Sequence, residues 1–465
     1  MAKITRIFVV AVSLFLLFMV GTGSRAQQRP HPGGPGKLVQ IRQQQLRQWL
    51  GRLAIQTAAG ATVLASAGTS SPVQAQDGAE PQPETTPPPA QPPTPALNPV
   101  PEPTPTPTPP PVPTPAPTPA ESPAVPTPGV TAAPTPAPNM GAPVVKGVYL
   151  TAWMTGSSRF LERMVQFTAQ TEINAVVIDV KDDTGTLSYP SRVELAHAIG
   201  ADWRKYDPQK VLALLKQHGI YPIARIVVFK DPYLAQHRNG LAVRSARGGL
   251  WRDFKGLCWV DPYNKAVWDY NVAVAKEAAA YGFKEIQFDY VRFTSDGPLK
   301  DCVYPGNDGR VKSDVIRDFL KYAYRQLSPL GVKVSADVFG LTCSAQDDLG
   351  IGQVLEKVAE GVDVISPMVY PSHYRKGEYN LPDPDRAPYQ TVHQSMKDAL
   401  RKLAKLDPDH PVTLRPWLQD FSLHNHYGRA ELLAQIKAVE DAGIHQYIFW
   451  NPANTYDKSK YRARQ

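Results

Sequence analysis

Eight short runs rich in β-branched, aliphatic and aromatic residues recur through the last 322 of the 465 residues, and a stretch with helical periodicity separates each run from the next. This alternation predicts βα units and therefore a parallel sheet. The predicted strands are 147–153, 174–180, 221–229, 285–291, 332–338, 363–370, 412–418 and 445–450. The predicted helices are 158–171, 208–218, 264–281, 312–327, 347–360, 392–404 and 428–441.

The number of units favours one architecture. A (β/α)8 barrel needs eight βα units, whereas a doubly wound sheet rarely has eight equivalent ones. A dinucleotide-binding fold is disfavoured because no GxGxxG follows the first predicted strand. We therefore predict an α/β protein whose residues 144–465 form a (β/α)8 TIM barrel.

The residues before the barrel have a different composition. Between Pro81 and Met140, 26 of 60 residues are proline. Such a segment cannot bury enough apolar surface to offset the entropy of the chain. We predict a disordered Pro/Thr-rich linker over 77–143, extended as polyproline II. Residues 27–76 are predicted to be a weakly apolar segment of low order.

The first residues have the pattern of a secretory signal. Lys3 and Arg6 precede the apolar run 7–21, and small residues follow as far as Ala26. This predicts a signal peptide over 1–26, with an uncleaved membrane anchor or a second signal near 53–68 as alternatives. The protein is expected to be extracellular or at the surface of a bacterial cell.

Charge and cysteine content narrow the possible partners. Residues 1–52 contain eight Lys and Arg and no acidic residue, which accounts for the whole net charge of +8. The remainder is neutral, so nothing favours nucleic acid binding.

The cysteines are Cys258, Cys302 and Cys343, and no CxxC pair suggests zinc. They are expected to be free thiols or to include a Cys302–Cys343 disulfide. We predict a monomer without metal or cofactor.

The ends of the predicted strands carry carboxylates, arginines and aromatic rings. Barrel enzymes place their reactive groups there, and this composition is typical of carbohydrate sites. Glycoside hydrolysis needs two carboxyl groups that flank one bond. Asp289 and Asp337 lie at matching depth on adjacent strands, which are ~4.8 Å apart, and are the predicted catalytic pair. A buried charge at Asp289 would be costly unless paired, and Arg225 and Arg292 are candidate partners.

Ten further residues at these strand ends are predicted to bind the substrate. They are Asp179, Lys181, Arg225, Arg292, Tyr370, His373, Trp417, Gln419, Trp450 and Asn451. Asp179 and Asp420 are reserve candidates for the second carboxyl group. Asp182 and Asp183 are expected to be solvated loop charges. Trp153 is expected either to line the site or to fill the mouth of the barrel.

Several motifs resemble those of a known family. They are VIDVKDDTG, WVDPYNKAVWDYNVAVAKEAAAYGFKEIQFDYVRF, SADVFG, SPMVYPSHY and FWNPANTY. Together they resemble a bacterial family of predicted glycoside hydrolases that was long catalogued as a domain of unknown function. That family is related more distantly to polygalactosaminidase-like glycosidases. The resemblance implies the barrel fold and Asp289 as the carboxylate of the fourth strand. One departure is Thr294, where the family pattern has proline.

The sequence therefore predicts an exported glycoside hydrolase that cleaves a polysaccharide with two carboxylates. Two alternatives remain. A metal-dependent polysaccharide deacetylase would need spaced histidines, but the chain has no HxxxH or HExxH pattern around its candidate histidines. A non-catalytic glycan-binding barrel would keep the aromatic rings and would not need a pair of converging carboxyl groups.

Overall fold

The computed structural model describes residues 144–406 and 411–464. The predicted signal (1–26), the segment 27–76 and the linker 77–143 lie outside these residues. The described part forms a closed barrel of eight parallel strands with helices between them, which confirms the predicted (β/α)8 fold. Within it, no helix combines the length and the hydropathy that crossing a bilayer requires.

The eight strands have these bounds: β1 Lys146–Leu150, β2 Ala175–Lys181, β3 Tyr221–Val227, β4 Glu285–Asp289, β5 Lys333–Phe339, β6 Val364–Met368, β7 Thr413–Leu414 with Trp417–Gln419, and β8 Tyr447–Trp450. The helices are α1 Ala152–Thr155, α2 Ser158–Gln170, α3 Glu194–Ile199, α4 Pro208–Gln217, α5 Pro232–His237, α6 Lys265–Tyr281, α7 Lys312–Leu327, α8 Leu355–Ala359, α9 Pro388–Leu403 and α10 Arg429–Asp441. Every predicted strand is present, within a few residues of its expected bounds.

The barrel closes between the first and last strands. β1 pairs with both β2 and β8, and the register places Val148 opposite Phe449. β7 joins β6 to β8, and it is interrupted at residues 415–416. Proline at position 416 has no N–H to give to a ladder, which is consistent with the break in β7.

Two kinds of helix depart from the prediction. The predicted helix 347–360 is reduced to α8, because 347–354 forms a loop in which Leu349 has φ 55° and Gly352 φ 81°. A side chain at Gly352 would also lie 2.8 Å from the carbonyl oxygen of Lys312. The short helices α1, α3 and α5 were not predicted, because a turn or two is too short to display helical periodicity.

One wall of the barrel mouth is built by the long loops after β3 and β4. These loops are joined by a small antiparallel pair, in which Arg244–Ser245 lies against Cys302–Val303. All three cysteines are free, so the Cys302–Cys343 disulfide considered above is not formed.

Candidate active site

Four consecutive strands present one charged side chain each at the mouth of the barrel. β2 carries Asp179, β3 Arg225, β4 Asp289 and β5 Asp337. The register pairs Asp179 with Arg225, and it pairs Phe288 with Ala336, the residues before the two predicted catalytic aspartates. Asp289 and Asp337 are therefore at the same level on adjacent strands, and the alternation of side chains sends both to the same face.

Arg225 joins two of the carboxylates. Its Nη1 donates to Oδ1 of Asp179 at 2.7 Å, and its Nε and Nη2 donate to Oδ2 of Asp289 at 2.9 and 2.5 Å. All three side chains are at most 9% exposed. A guanidinium that donates to both neighbours compensates the cost of burying their charges and fixes their orientation.

The other carboxylate oxygen of Asp289 also accepts a hydrogen bond. Its Oδ1 accepts a hydrogen bond from the backbone N–H of Tyr290 at 2.6 Å. Tyr290 has φ 49°, the left-handed region that residues other than glycine seldom adopt. The strand ends at this point, and the turn aims the backbone donor at the carboxylate. Asp289 thus accepts three hydrogen bonds, which fix its orientation at the mouth of the barrel.

The environment of Asp337 differs from that of Asp289. It is 1% exposed, and its Oδ1 accepts a hydrogen bond from Nε1 of Trp417 at 2.7 Å. Burial, followed by repulsion from Asp289, raises the pKa of Asp337 well above its ordinary value. The surroundings of Asp337 therefore favour its protonated form.

Asp179 is also buried, and it contacts both Arg225 and Tyr149. Burial is the main cause that raises its pKa from 3.8 to about 6, and the charge of Arg225 opposes this shift. Its Oδ2 accepts a hydrogen bond from the hydroxyl of Tyr149 at 2.6 Å. This carboxyl group would titrate in mildly acidic solution.

Aromatic rings form the opposite wall. Tyr149 and Trp450 stack with their ring centroids 4.0 Å apart, and Trp417 meets Trp450 edge-on at 5.6 Å. The guanidinium carbon of Arg225 lies 5.6 and 5.5 Å from the centroids of Tyr149 and Trp450. These rings restrict the rotation of Arg225, and Trp450, the one of the three that is not buried, offers an apolar face of the kind on which sugar rings stack.

These groups lie in one cleft of about 970 Å³. Beyond the four charged residues, its walls include Lys230 and Asp183, which form an ion pair at 2.8 Å. Attraction to Lys230 lowers the pKa of Asp183 to about 2. Trp153 and Phe254 line the rim and are 61% and 69% exposed. Over residues 144–406 and 411–464, no group of three or more His, Cys, Asp or Glu side chains is arranged to hold a metal ion.

Most of the described residues match one known family. Residues 147–456 match a family described as "Putative glycosyl hydrolase domain". The chain belongs to this glycosyl hydrolase family. The resemblance inferred from the motifs is thereby confirmed. No curated protein matches the chain significantly.

Two solved structures are similar to this glycosyl hydrolase domain. A hypothetical protein from Ruminiclostridium thermocellum is 43% identical, and the match covers 44% of this chain and 98% of that one with a TM-score of 0.39. The PgaB (BpsB) glycoside hydrolase domain from Bordetella bronchiseptica is 15% identical over 68% of this chain and 97% of that one, with a TM-score of 0.52. The second similarity shows the shared barrel.

Eight of the twelve predicted site residues line the cleft of the glycosyl hydrolase domain. They are Asp179, Arg225, Asp289, Arg292, Asp337, Tyr370, Trp417 and Trp450. Arg225 contacts Asp289 as expected. Arg292 was expected to be a second partner of Asp289, but no carboxylate of the described residues lies within ion-pair distance of it.

The other four predicted residues do not line the cleft. Lys181 is fully buried against Asp231 at 2.7 Å, because a bulge between Asp179 and Lys181 turns its side chain to the other face. His373 packs behind Tyr370. The remaining two make structural hydrogen bonds. Gln419 accepts from the N–H of Ser372, and Asn451 donates to the carbonyl oxygen of Thr455.

Several residues of the cleft were not predicted from the sequence. Tyr149 is the next-to-last residue of β1, and only its position one residue before the end of a strand could have indicated it. Asp183 was expected to be a solvated loop charge; its side chain is 38% exposed, and its carboxylate also pairs with Lys230 in the cleft. Trp259 and Tyr290 belong to the loops after β3 and β4, where barrel enzymes build their sites, but the rule does not say which rings of a long loop turn into the cleft.

Proposed function

We propose that the protein is an exported glycoside hydrolase that cleaves a polysaccharide by a two-carboxylate mechanism. The observation that carries this proposal is the difference between the environments of Asp289 and Asp337. Asp289 accepts two hydrogen bonds from Arg225 and one from a backbone N–H. Asp337 is buried, and its pKa is raised well above its ordinary value. Two neighbouring carboxyl groups with opposite environments supply one base or nucleophile and one acid.

The roles follow from these two environments. Asp337 donates its proton to the glycosidic oxygen as the bond from that oxygen to the anomeric carbon breaks. Asp289 acts on the same carbon, either by bonding to it or by taking a proton from the water that attacks it. Arg225 holds Asp289 in position. After one turnover, water has supplied a hydrogen to the leaving sugar and a hydroxyl to the other sugar.

Substitution of the pair tests the mechanism. Asp337→Asn keeps the size of the side chain but cannot donate the proton, and Asp289→Asn cannot act as base or nucleophile. We expect each to lower kcat by roughly 10²- to 10⁴-fold. The measurement is release of reducing ends from a panel of bacterial and fungal polysaccharides by the full-length chain.

A matched control is Asp398→Asn. Asp398 lies on α9, pairs with the exposed Arg401 and does not line the cleft. It should retain wild-type turnover. Full activity in both Asp289→Asn and Asp337→Asn would refute the two-carboxylate mechanism.

The polymeric substrate is inferred from the open shape of the cleft. Trp153 and Phe254 expose most of their rings at its rim, where sugars beyond the cleaved bond could stack. Trp153→Ala should raise KM for long oligosaccharides and leave that for disaccharides nearly unchanged.

Export is inferred from residues 1–26. Its test is the N-terminal sequence of protein recovered from the medium or from the cell envelope.

A further inference from the structure

Arg292 occupies an unusual place in the cleft. It follows the end of β4 by three residues, and it is 2% exposed. Its guanidinium carbon lies 4.8, 4.9 and 4.8 Å from the ring centroids of Trp259, Tyr290 and Phe339. Three rings on different elements therefore hold the guanidinium in one orientation. Arg292 and these three rings are called the arginine cage below.

The other buried cations of the described residues all have a carboxylate partner. The pairs are Lys181–Asp231, Lys205–Asp182, Arg225–Asp289, Lys230–Asp183 and Arg415–Glu285. Arg292 differs from them. Its Nη1 donates to the carbonyl oxygen of Phe293 at 3.1 Å and to Oγ of Ser295 at 2.9 Å, and both acceptors are neutral.

The nearest carboxylates are engaged elsewhere. Asp289 is bound by Arg225, Asp253 accepts from Nε1 of Trp259, and Asp296 accepts from the N–H of Phe254. They act on Arg292 only from beyond ion-pair distance. Burial accordingly lowers the pKa of Arg292 from its ordinary value. A buried guanidinium without a counter-ion is costly, and an anion that enters the cleft would relieve this cost.

The free donors of Arg292 are available for such an anion. Nε and Nη2 have no hydrogen-bond partner among residues 144–406 and 411–464, and Arg292 lines the cleft. A guanidinium fork fits the two oxygens of a carboxylate or sulfate, and the rings have already fixed its plane. The cage also lies next to the two aspartates, because Arg292 follows Asp289 by three residues and Phe339 follows Asp337 by two.

We propose that Arg292 binds an oxyanion substituent of the substrate, the carboxylate of a uronic acid or a sulfate ester, on a sugar next to the cleaved bond. The polysaccharide would then be acidic. This inference rests on the proposed function, since it assigns a substrate class to the same cleft.

Binding measurements test the inference independently of turnover. The full-length chain carrying Asp337→Asn, which should bind without cleaving, is titrated by calorimetry with two matched pairs of ligands. One pair is oligogalacturonates and their methyl esters, and the other is sulfated galactan oligosaccharides and their desulfated forms. We expect one acidic ligand to bind at least about tenfold more tightly than its uncharged counterpart. The pair that shows the preference distinguishes carboxylate from sulfate.

Variants in the same background assign the preference to Arg292. Arg292→Met keeps an apolar stem between the rings and should weaken binding of the acidic ligand by about 10- to 100-fold, with little effect on the uncharged one. Arg292→Lys keeps the charge without the fork and should retain part of the preference. It also serves as the test if Arg292→Met does not fold, as judged by circular dichroism. Arg401→Met, on the surface of α9, is the control and should bind like its parent.

Two results would overturn the inference. One is equal binding, or no binding, of the acidic and uncharged members of both pairs. The other is a preference that survives Arg292→Met. Turnover measurements distinguish failure of this inference from failure of the proposed function. If uncharged glycans are cleaved and no anion is preferred, the inference fails and the hydrolase stands. If an acidic ligand is bound through Arg292 and no polysaccharide is cleaved, the hydrolase fails and the anion site stands.

Discussion

Arg225 is expected to contribute to stability in a way that depends strongly on pH. Arg225→Met removes three hydrogen bonds of 2.5–2.9 Å and leaves Asp179 and Asp289 buried without a cation. Breaking a buried pair costs about 3–5 kcal/mol, because the remaining charge stays out of water. At pH 8, above the pKa of Asp179, neither buried carboxyl group has a cation left to pair with, so we expect the full loss there.

At pH 5 the loss should be smaller. The pKa of Asp179 is already about 6, so this group is mostly protonated and no longer needs the cation. What remains is mainly the loss of the cation beside Asp289, so we expect a cost near the lower end of that range, about 3 kcal/mol, against about 5 kcal/mol at pH 8. The assay is urea unfolding of the full-length chain at both pH values, followed by tryptophan fluorescence.

A surface arginine provides the control. Arg401 is 65% exposed and pairs with Asp398 at 3.0 Å. Arg401→Met should cost below about 1 kcal/mol, with no difference between pH 5 and pH 8. The reasoning would be refuted if Arg225→Met cost no more than this control, or if its cost were the same at both pH values.

Three further results are expected. Because the folded-state pKa of Asp179 is raised to about 6, its contribution to stability is present below about pH 4 and is lost as pH rises to 6. Asp179→Asn should therefore reduce the fall in unfolding free energy between pH 4 and pH 7 by about 3 kcal/mol in urea titrations. Trp417→Phe removes a donor that lowers the pKa of Asp337. The alkaline limb of the pH–rate profile should then shift to higher pH by about 0.5–1 pH unit. Dithiothreitol should not change the melting temperature, because the cysteines are free.

Each of these three predictions would be contradicted by a specific result. An unchanged pH dependence in Asp179→Asn would mean that this carboxyl group does not titrate near pH 6. An alkaline limb that stays in place in Trp417→Phe would separate Asp337 from the protonation step. A melting temperature that falls by several degrees in dithiothreitol would indicate a disulfide.

Much of the site could be predicted from the sequence because barrel geometry is regular. Asp289 is a charge that ends an apolar strand, and the fifth strand ends with another aspartate at the same depth. Two parallel strands in register must place such residues side by side. The pairing of Phe288 with Ala336 shows that this register is the one adopted.

The positions that the sequence did not resolve are those where the regular alternation stops. Lys181 stands two residues after Asp179 and should share its face, but the intervening bulge turns it away. Tyr290 enters the site through a left-handed backbone turn that no local pattern announces. The helix predicted over 347–360 was shortened by the loop whose glycine packs against α7.

The sequence by itself determined the eight βα units and the aspartates at the ends of two strands, because hydrophobic periodicity and in-strand charges are local properties. Tertiary structure alone decided the electrostatics. Arg225 became the partner of two carboxylates, Asp337 lost its contact with water, and Arg292 was buried among rings without a counter-ion. Burial and pairing depend on groups far apart in the chain, and only the closed barrel brings those groups within a few ångströms of one another.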